Sequence, residues 1–218
     1  MTWTGYRSTI AWMKAEDSGH PMTVKRRMGP VGSPSWHMLL DAAEDILREE
    51  GYAALTSRNI TSRAGVNQQL LYYYFHTMEE LIVAAFRRAA GREMERLEAA
   101  AESDHPLQAI WKVRSKKDLR SMPEFAALAN RIEDLRAEIV DFRKNVRQLQ
   151  VAALHKSLAG REAPTLELPA PALIALLDYA ALYVNRDSEF DVVEGQRELI
   201  TAFETFLDGI EPEATNEG

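Results

Sequence analysis

From Pro34 onward, apolar and polar positions alternate with the period of a helix. Leu39, Ala42, Ala43, Ile46 and Leu47 fall on one face of a first segment. Ser33 is placed to cap this segment, Pro34 suits its first turn, and Gly51 ends it. Two short segments follow. Thr56 caps one that runs through Ala64 and stops at Gly65; Asn67 caps the next, which reaches Tyr74. Thr77, with Glu80 three residues on, reads as a capping box that opens a long helix to about Ala101. Further helices are predicted over 106–119, 123–130, 132–158, 171–184 and 193–207, with Gly160, Pro164 and Pro169 marking a loop. There is no convincing strand alternation, no internal repeat and no low-complexity tract. The pattern predicts an all-α chain, with a small three-helix unit over 34–80 and a larger helical unit over 81–218. Residues 1–33 read as an irregular arm rich in Gly and Pro, with room for a short helix over 9–16 and a basic cluster, Lys25, Arg26 and Arg27.

The two short helices, joined by a tight glycine turn, have the form of a helix-turn-helix. In that geometry the first helix crosses the DNA backbone and the second lies in the major groove. Ile60, Ala64, Val66, Leu71 and Phe75 form an inward set, and Tyr74 belongs with them on the side of Leu71. Gln68, Gln69, Tyr72 and Tyr73 are left facing outward at helical spacing and, with the capping Asn67, are candidates for DNA contact. A glutamine can pair bidentately with adenine, and a tyrosine offers a ring to thymine methyls and a hydroxyl to phosphate. Arg58, Arg63 and the Thr56 and Ser57 hydroxyls suit phosphates flanking the groove, and the helix N-terminus at Thr77 suits one more. The bland reading of the outward glutamines is a solvated face. The bland reading of the Lys25 cluster is a solvated run; the sharper one is an arm in the adjacent minor groove.

Charge sharpens this division. The formal net charge is −7, yet residues 1–76 hold 8 basic and 7 acidic side chains, leaving 18 basic and 26 acidic for the remainder. The acidity sits in the second part, so the first is free to approach a polyanion. With no cysteine, disulfides and thiolate zinc sites are excluded. The histidines His20, His37, His76, His105 and His155 show no metal-ligand pairing, so no metal is expected. Glu133, Asp134, Glu138 and Asp141 follow helical spacing as catalytic carboxylates might be arranged, but Arg131, Arg136, Arg143 and Lys144 interleave with them. Surface ion pairs are the better reading. No catalytic set stands out, so neither an enzyme nor a cofactor is expected. No apolar run approaches the roughly 20 residues of a membrane span, and no secretory signal is visible. A cytoplasmic location is the expectation.

The stretch LREEGYAALTSRNITSRAGVNQQLLYYYFHTMEEL resembles the DNA-binding region of the TetR family of bacterial regulators. The resemblance is carried by Gly51, Tyr52, Thr56, Ile60, Ala64, Gly65, Val66, Leu71, Tyr72, Tyr74, Phe75 and Leu81 at fixed spacing. Departures from the family pattern are Thr61 for Ala, Asn67 for Ser, Gln69 for a small residue, Leu70 for Thr and Met78 for Lys; they imply an unusual operator. The resemblance implies a homodimer through the last two helices, a double-stranded DNA operator, and a small effector that weakens DNA binding. That is the behaviour of a repressor. Among the large side chains of the second unit, Trp111, Phe125, Phe142, His155, Tyr179 and Tyr183 are candidates to line the pocket, although most such residues are simply core. Their character suggests an apolar or amphipathic effector. The rival readings are an activator or effector-independent regulator, and an all-α enzyme or carrier that keeps the three-helix unit as scaffold.

Overall fold

The structure, a computed structural model, describes residues 32–115, 121–159, 169–189 and 195–212. Every regular element among them is helical: α1 (Pro34–Glu50), α2 (Ser57–Ala64), α3 (Gln68–Tyr74), α4 (Met78–Ala101), α5 (Pro106–Arg114), α6 (Ser121–Leu128), α7 (Glu133–Leu158), α8 (Ala170–Glu189) and α9 (Gln196–Ile210). The all-α expectation is met, and the N-terminal helix-turn-helix is followed by a larger helical region. Capping residues fix the helix starts. The Ser33 hydroxyl accepts from Trp36 N at 3.3 Å, and Asn67 Oδ1 accepts from Leu70 N at 2.8 Å. Thr56 and Thr77 cap α2 and α4 in the same way, at 3.2 and 3.1 Å.

Differences from the predicted elements have local causes. A single 3-10 turn over Tyr52–Ala54, which the apolar spacing does not reveal, joins α1 to α2. Helix α9 continues to Ile210 because Ile210 is buried. Helix α8 extends past the predicted end at 184, to Glu189. Residues 116–119 of the predicted 106–119 helix lie outside the described residues, as do the possible 9–16 helix and the Lys25, Arg26 and Arg27 cluster.

Two apolar cores organise the helices. The first gathers Leu39, Ala43, Ile46 and Leu47 of α1, Ile60 of α2, Leu71 of α3, and Leu81 and Phe86 of α4. It does not end with the helix-turn-helix: Phe125 of α6 and Leu135 of α7 belong to the same cluster. Phe86 meets Phe125 edge-on with ring centroids 5.4 Å apart, and meets Phe142 of α7 at 6.0 Å. The second core lies between the C-terminal half of α4, α5, the C-terminal half of α7, α8 and α9. Helices α4 and α7 run through both cores, and Phe142 packs against each. Helix α4, with 24 residues, spans about 36 Å.

Charged contacts tie α4 to its neighbours. Arg88 of α4 reaches Asp41 at 2.7 Å and Glu44 at 2.9 Å, both on α1, and Arg92 also pairs with Glu44. Arg87 pairs with Glu138 of α7 at 2.6 Å. Phe86→Ala removes the ring that joins α4 to α6 and α7, and should cost about 3–5 kcal/mol in urea unfolding. A loss below about 1 kcal/mol would show that this shared core does not hold the two regions together.

Candidate nucleic-acid interface

The interface is built on α2, the turn and α3. Gly65 ends α2 in the left-handed region at φ 67°, and its N–H returns to the Ser62 and Thr61 carbonyls. A β-carbon would be strained there, so glycine suits the sharp change of direction. Inside the angle, Ile60 and Leu71 are fully buried, Ala64 and Phe75 are nearly so, and Val66 is half-buried against the same core. Tyr74 is buried as the inward set required. Its hydroxyl accepts from Ser33 Oγ at 2.8 Å, joining the end of α3 to the cap of α1.

Outside the angle, Asn67, Gln68, Gln69, Tyr72 and Tyr73 are exposed. Tyr72 and Tyr73 keep 48% and 46% of their surface open to solvent, high for aromatic rings on a helix that packs so firmly on its other side. Thr56 and Arg58 are exposed at the start of α2, and Ser57 is half-buried beside them. Arg58 makes no ion pair among the described residues. The departures from the family pattern also acquire places. The Thr61 hydroxyl donates back to the Ser57 carbonyl at 2.8 Å and is buried. Leu70 and Met78 pack partly into the first core, so neither contributes a polar group to this face.

Two of the phosphate candidates are occupied within the chain. Arg63 reaches across to the end of α1, where its guanidinium pairs with Glu49 at 2.6 Å and Glu50 at 2.7 Å. The hydrogen bond and charge of Arg63 hold the Glu49 carboxyl below its ordinary range. A carboxyl depressed on folding adds stability above its unfolded pKa and loses it as pH falls through the folded value. The clamp is therefore charged at neutral pH and fails only in acid. At the start of α4, Thr77 Oγ1 accepts from Glu80 N, while Glu80 Oε2 accepts from His76 N at 2.8 Å. The helix thus brings its own carboxylate to the N-terminus proposed for a phosphate.

The six pocket candidates do not converge. Trp111 is buried in the second core and stacks on Phe203 of α9 at 5.3 Å. Phe125 and Phe142 surround Phe86 in the first core. His155, Tyr179 and Tyr183 are exposed. Large side chains at helical spacing do not reveal which face the other helices cover.

Sequence reasoning passed over a polar cluster inside the second core. Glu93 of α4 is 1% exposed, with Arg96 at 3.2 Å and Arg114 of α5 at 4.0 Å. Arg114 and Arg147 approach Asp178 of α8 at 3.5 and 3.7 Å, and buried Gln150 of α7 donates to it at 2.6 Å. The signal was available: Glu93 sits four residues from both Ala89 and Leu97, on the buried face of α4.

This geometry has known counterparts. Residues 39–85 match the family model for bacterial regulatory proteins of the tetR family. These residues form a TetR-family DNA-binding region. The chain's N-terminal part is 31% identical over 65 residues to the fatty acid metabolism regulator protein of Bacillus subtilis, which covers 30% of this chain and 34% of that protein. The match to that relative thus spans about a third of its length. The HTH-type transcriptional regulator BetI of Rhizobium meliloti is 26% identical over 147 residues, covering 62% of this chain and 72% of its own. Among solved structures, E. coli NemR in its reduced form superposes with a TM-score of 0.67 at 16% identity, over 78% of this chain and 96% of that one. At such identity the likeness speaks for the fold alone, and that shared fold extends beyond the matched N-terminal region.

The Arg63 clamp generates a test. Replacing both Glu49 and Glu50 by Gln releases the guanidinium towards the DNA side. Duplex affinity should rise, and the log–log salt slope should steepen by about 0.9, the value of one added phosphate contact. Fluorescence anisotropy across a salt series measures both; an unchanged slope would mean that Arg63 stays turned away from the phosphates.

Proposed function

We propose that this TetR-family chain is a homodimeric transcription regulator that binds a pseudo-palindromic DNA operator and acts as a repressor released by a small effector. The observation that carries the reading is the exposed quartet Gln68, Gln69, Tyr72 and Tyr73, on a capped helix whose opposite face is locked into the core. Base contact falls to these four side chains. Thr56, Ser57, Arg58 and the Thr77 helix start meet phosphates, Arg63 joins them when its clamp opens, and Asn67 holds the helix start in place. DNA recognition belongs to residues 34–80, and effector binding and dimerisation to residues 81–218.

Dimerisation is supported by the outer face of α8. Leu176, Tyr179, Leu182 and Tyr183 expose between 46% and 72% of their surface on this helix. Apolar side chains in such a row suit another apolar surface better than water. A second copy meeting them through α8 and α9 makes the dimer and places two α3 helices on successive major grooves, about one helical turn apart. The described helices include none long and apolar enough to cross a membrane, and the cytoplasm is the proposed site of action.

The effector is proposed to enter the second core near Glu93, Arg114, Gln150 and Asp178. Gln150 Oε1 is buried without a hydrogen-bond partner among the described residues. An amphipathic molecule, apolar against Trp111 and Leu177 with a polar end at this cluster, fits the surroundings. To release DNA it must bind the non-operator arrangement more tightly than the operator-bound one.

Two outcomes test this reading. Gln68→Ala should cost about 1–3 kcal/mol at one base position of the selected operator while leaving other positions alone. A preference profile identical to the wild type would remove Gln68 from the base-reading set. Tyr179→Glu combined with Leu182→Glu should convert a dimer to a monomer in sedimentation velocity with helical content retained; a persistent dimer would move the interface away from α8.

A further inference from the structure

The link between α1 and α2 leaves a backbone donor that its own residues cannot satisfy. Gly51 turns the chain at φ 77° and stands as the N-cap of the Tyr52–Ala54 turn, yet it has no side chain to accept a hydrogen bond. The acceptor comes from 72 residues further along: Glu124 Oε2, on α6, accepts from Tyr52 N at 2.8 Å. The same oxygen lies 3.5 Å from the point where a Gly51 β-carbon would stand. Immediately after Glu124, Phe125 is fully buried against Phe86, so α6 cannot slide without disturbing the first core.

Beside the apolar core it shares with α4 and α6, helix α1 is held by polar contacts at two separated places. Near its middle, Asp41 and Glu44 pair with Arg88 and Arg92 of α4. Beyond its C-terminal end, the backbone of Tyr52 is held by α6. The stretch from Glu44 to Gly51 is seven residues, about 10 Å along the helix axis. One attachment leaves a pivot, whereas two fix an orientation. Because α2 and α3 pack on α1 through Ile60 and Leu71, the orientation of α1 is also that of the recognition helix.

We propose that Glu124 is a positioning residue that sets the spacing of the operator half-sites the dimer accepts. The inference rests on the DNA-binding homodimer reading above. With the Glu124 contact in place, each α3 sits at one angle to the dimer axis and only one spacing satisfies both copies. Without it, the helix-turn-helix pivots about the Arg88 and Arg92 attachment, so several spacings become acceptable while the bases read by each α3 stay the same.

The test is selection of duplexes from a library with randomised half-sites and spacers of varied length, using the full chain and its Glu124→Ala and Glu124→Gln variants. Wild type should return one dominant spacing. Glu124→Ala should return the same half-site sequence with spacers one or two base pairs longer and shorter. Glu124→Gln keeps a carbonyl that accepts from Tyr52 N–H and should restore the single spacing. Amide exchange at Tyr52 should accelerate at least tenfold in Glu124→Ala. If the Ala variant fails to fold, as judged by circular dichroism, Glu124→Asp serves in its place, since its shorter side chain falls short of the amide. An unchanged spacing distribution, a uniform loss of affinity at one spacing, or unchanged exchange at Tyr52 each overturns the proposal. A wild type that selects paired half-sites separates these failures from the failure of the regulator reading itself, which would appear as no selected DNA at all and would take this proposal with it.

Discussion

A helix of seven residues is too short to hold together alone in water, because nucleating the first turn costs more than so few hydrogen bonds return. Helix α3 is such a helix, and the candidate DNA surface exists only because Leu71, Tyr74 and Phe75 are driven into the space between α1 and α4. The caps set where the helix begins; burial makes it persist. This explains the division of labour along α3. One face is apolar because it must supply the stability that the helix lacks, and the other is released from that duty. Glutamines and tyrosines can stand on the released face at little cost to the fold.

The same constraint reaches beyond the helix-turn-helix. A unit of some forty-five residues buries too little apolar surface to be well stabilised by itself, and here its core is completed by Phe125 and Leu135 from the larger region. The helix-turn-helix and the larger helical region are thus not separate bodies joined by a linker. Helices α4 and α7 pass through both cores, with Phe142 in contact with each. A close-packed interior transmits a displacement because it has few voids to absorb it.

How much of this was legible in the sequence follows from which forces act locally. The starts of α2, α3 and α4 could be read because Thr56, Asn67 and Thr77 bond to backbone only three residues away. The inward and outward sets of α3 could be read because helical period fixes faces. The partners of Arg63 could not, since Glu49 and Glu50 come near it only after α1 and α2 have packed. Nor could the acceptor for Tyr52 N, which lies on another helix. The pocket candidates scattered for a related reason. Size marked Trp111 and Phe125 for burial, but nothing local distinguishes them from Tyr179, whose helix face none of the other described residues covers. Glu93 was readable in principle, as a carboxylate set among the alanines and leucine of a buried helical face.

Charge places a further limit on how this surface can work. Within residues 32–76 there are 3 basic side chains, Arg48, Arg58 and Arg63, against 5 acidic ones, all on α1. Four of those acids, Asp41, Glu44, Glu49 and Glu50, are absorbed by Arg63, Arg88 and Arg92, and Asp45 pairs with Arg48 in turn. What remains facing outward on α2 and α3 is nearly neutral, with Arg58 as its one uncommitted cation among the described residues. Counterion release supplies much of the affinity of most DNA-binding proteins, in proportion to the phosphates they neutralise. A face with so few cations cannot lean on that term. On the proposed reading its affinity comes instead from close contact by glutamine and tyrosine with base edges, which depends on sequence and only weakly on salt. The basic excess of the N-terminal part resides in residues 1–31, which hold 5 basic and 2 acidic side chains. Any strong salt dependence of binding would therefore be the signature of that arm, and a shallow one the signature of α3 acting alone.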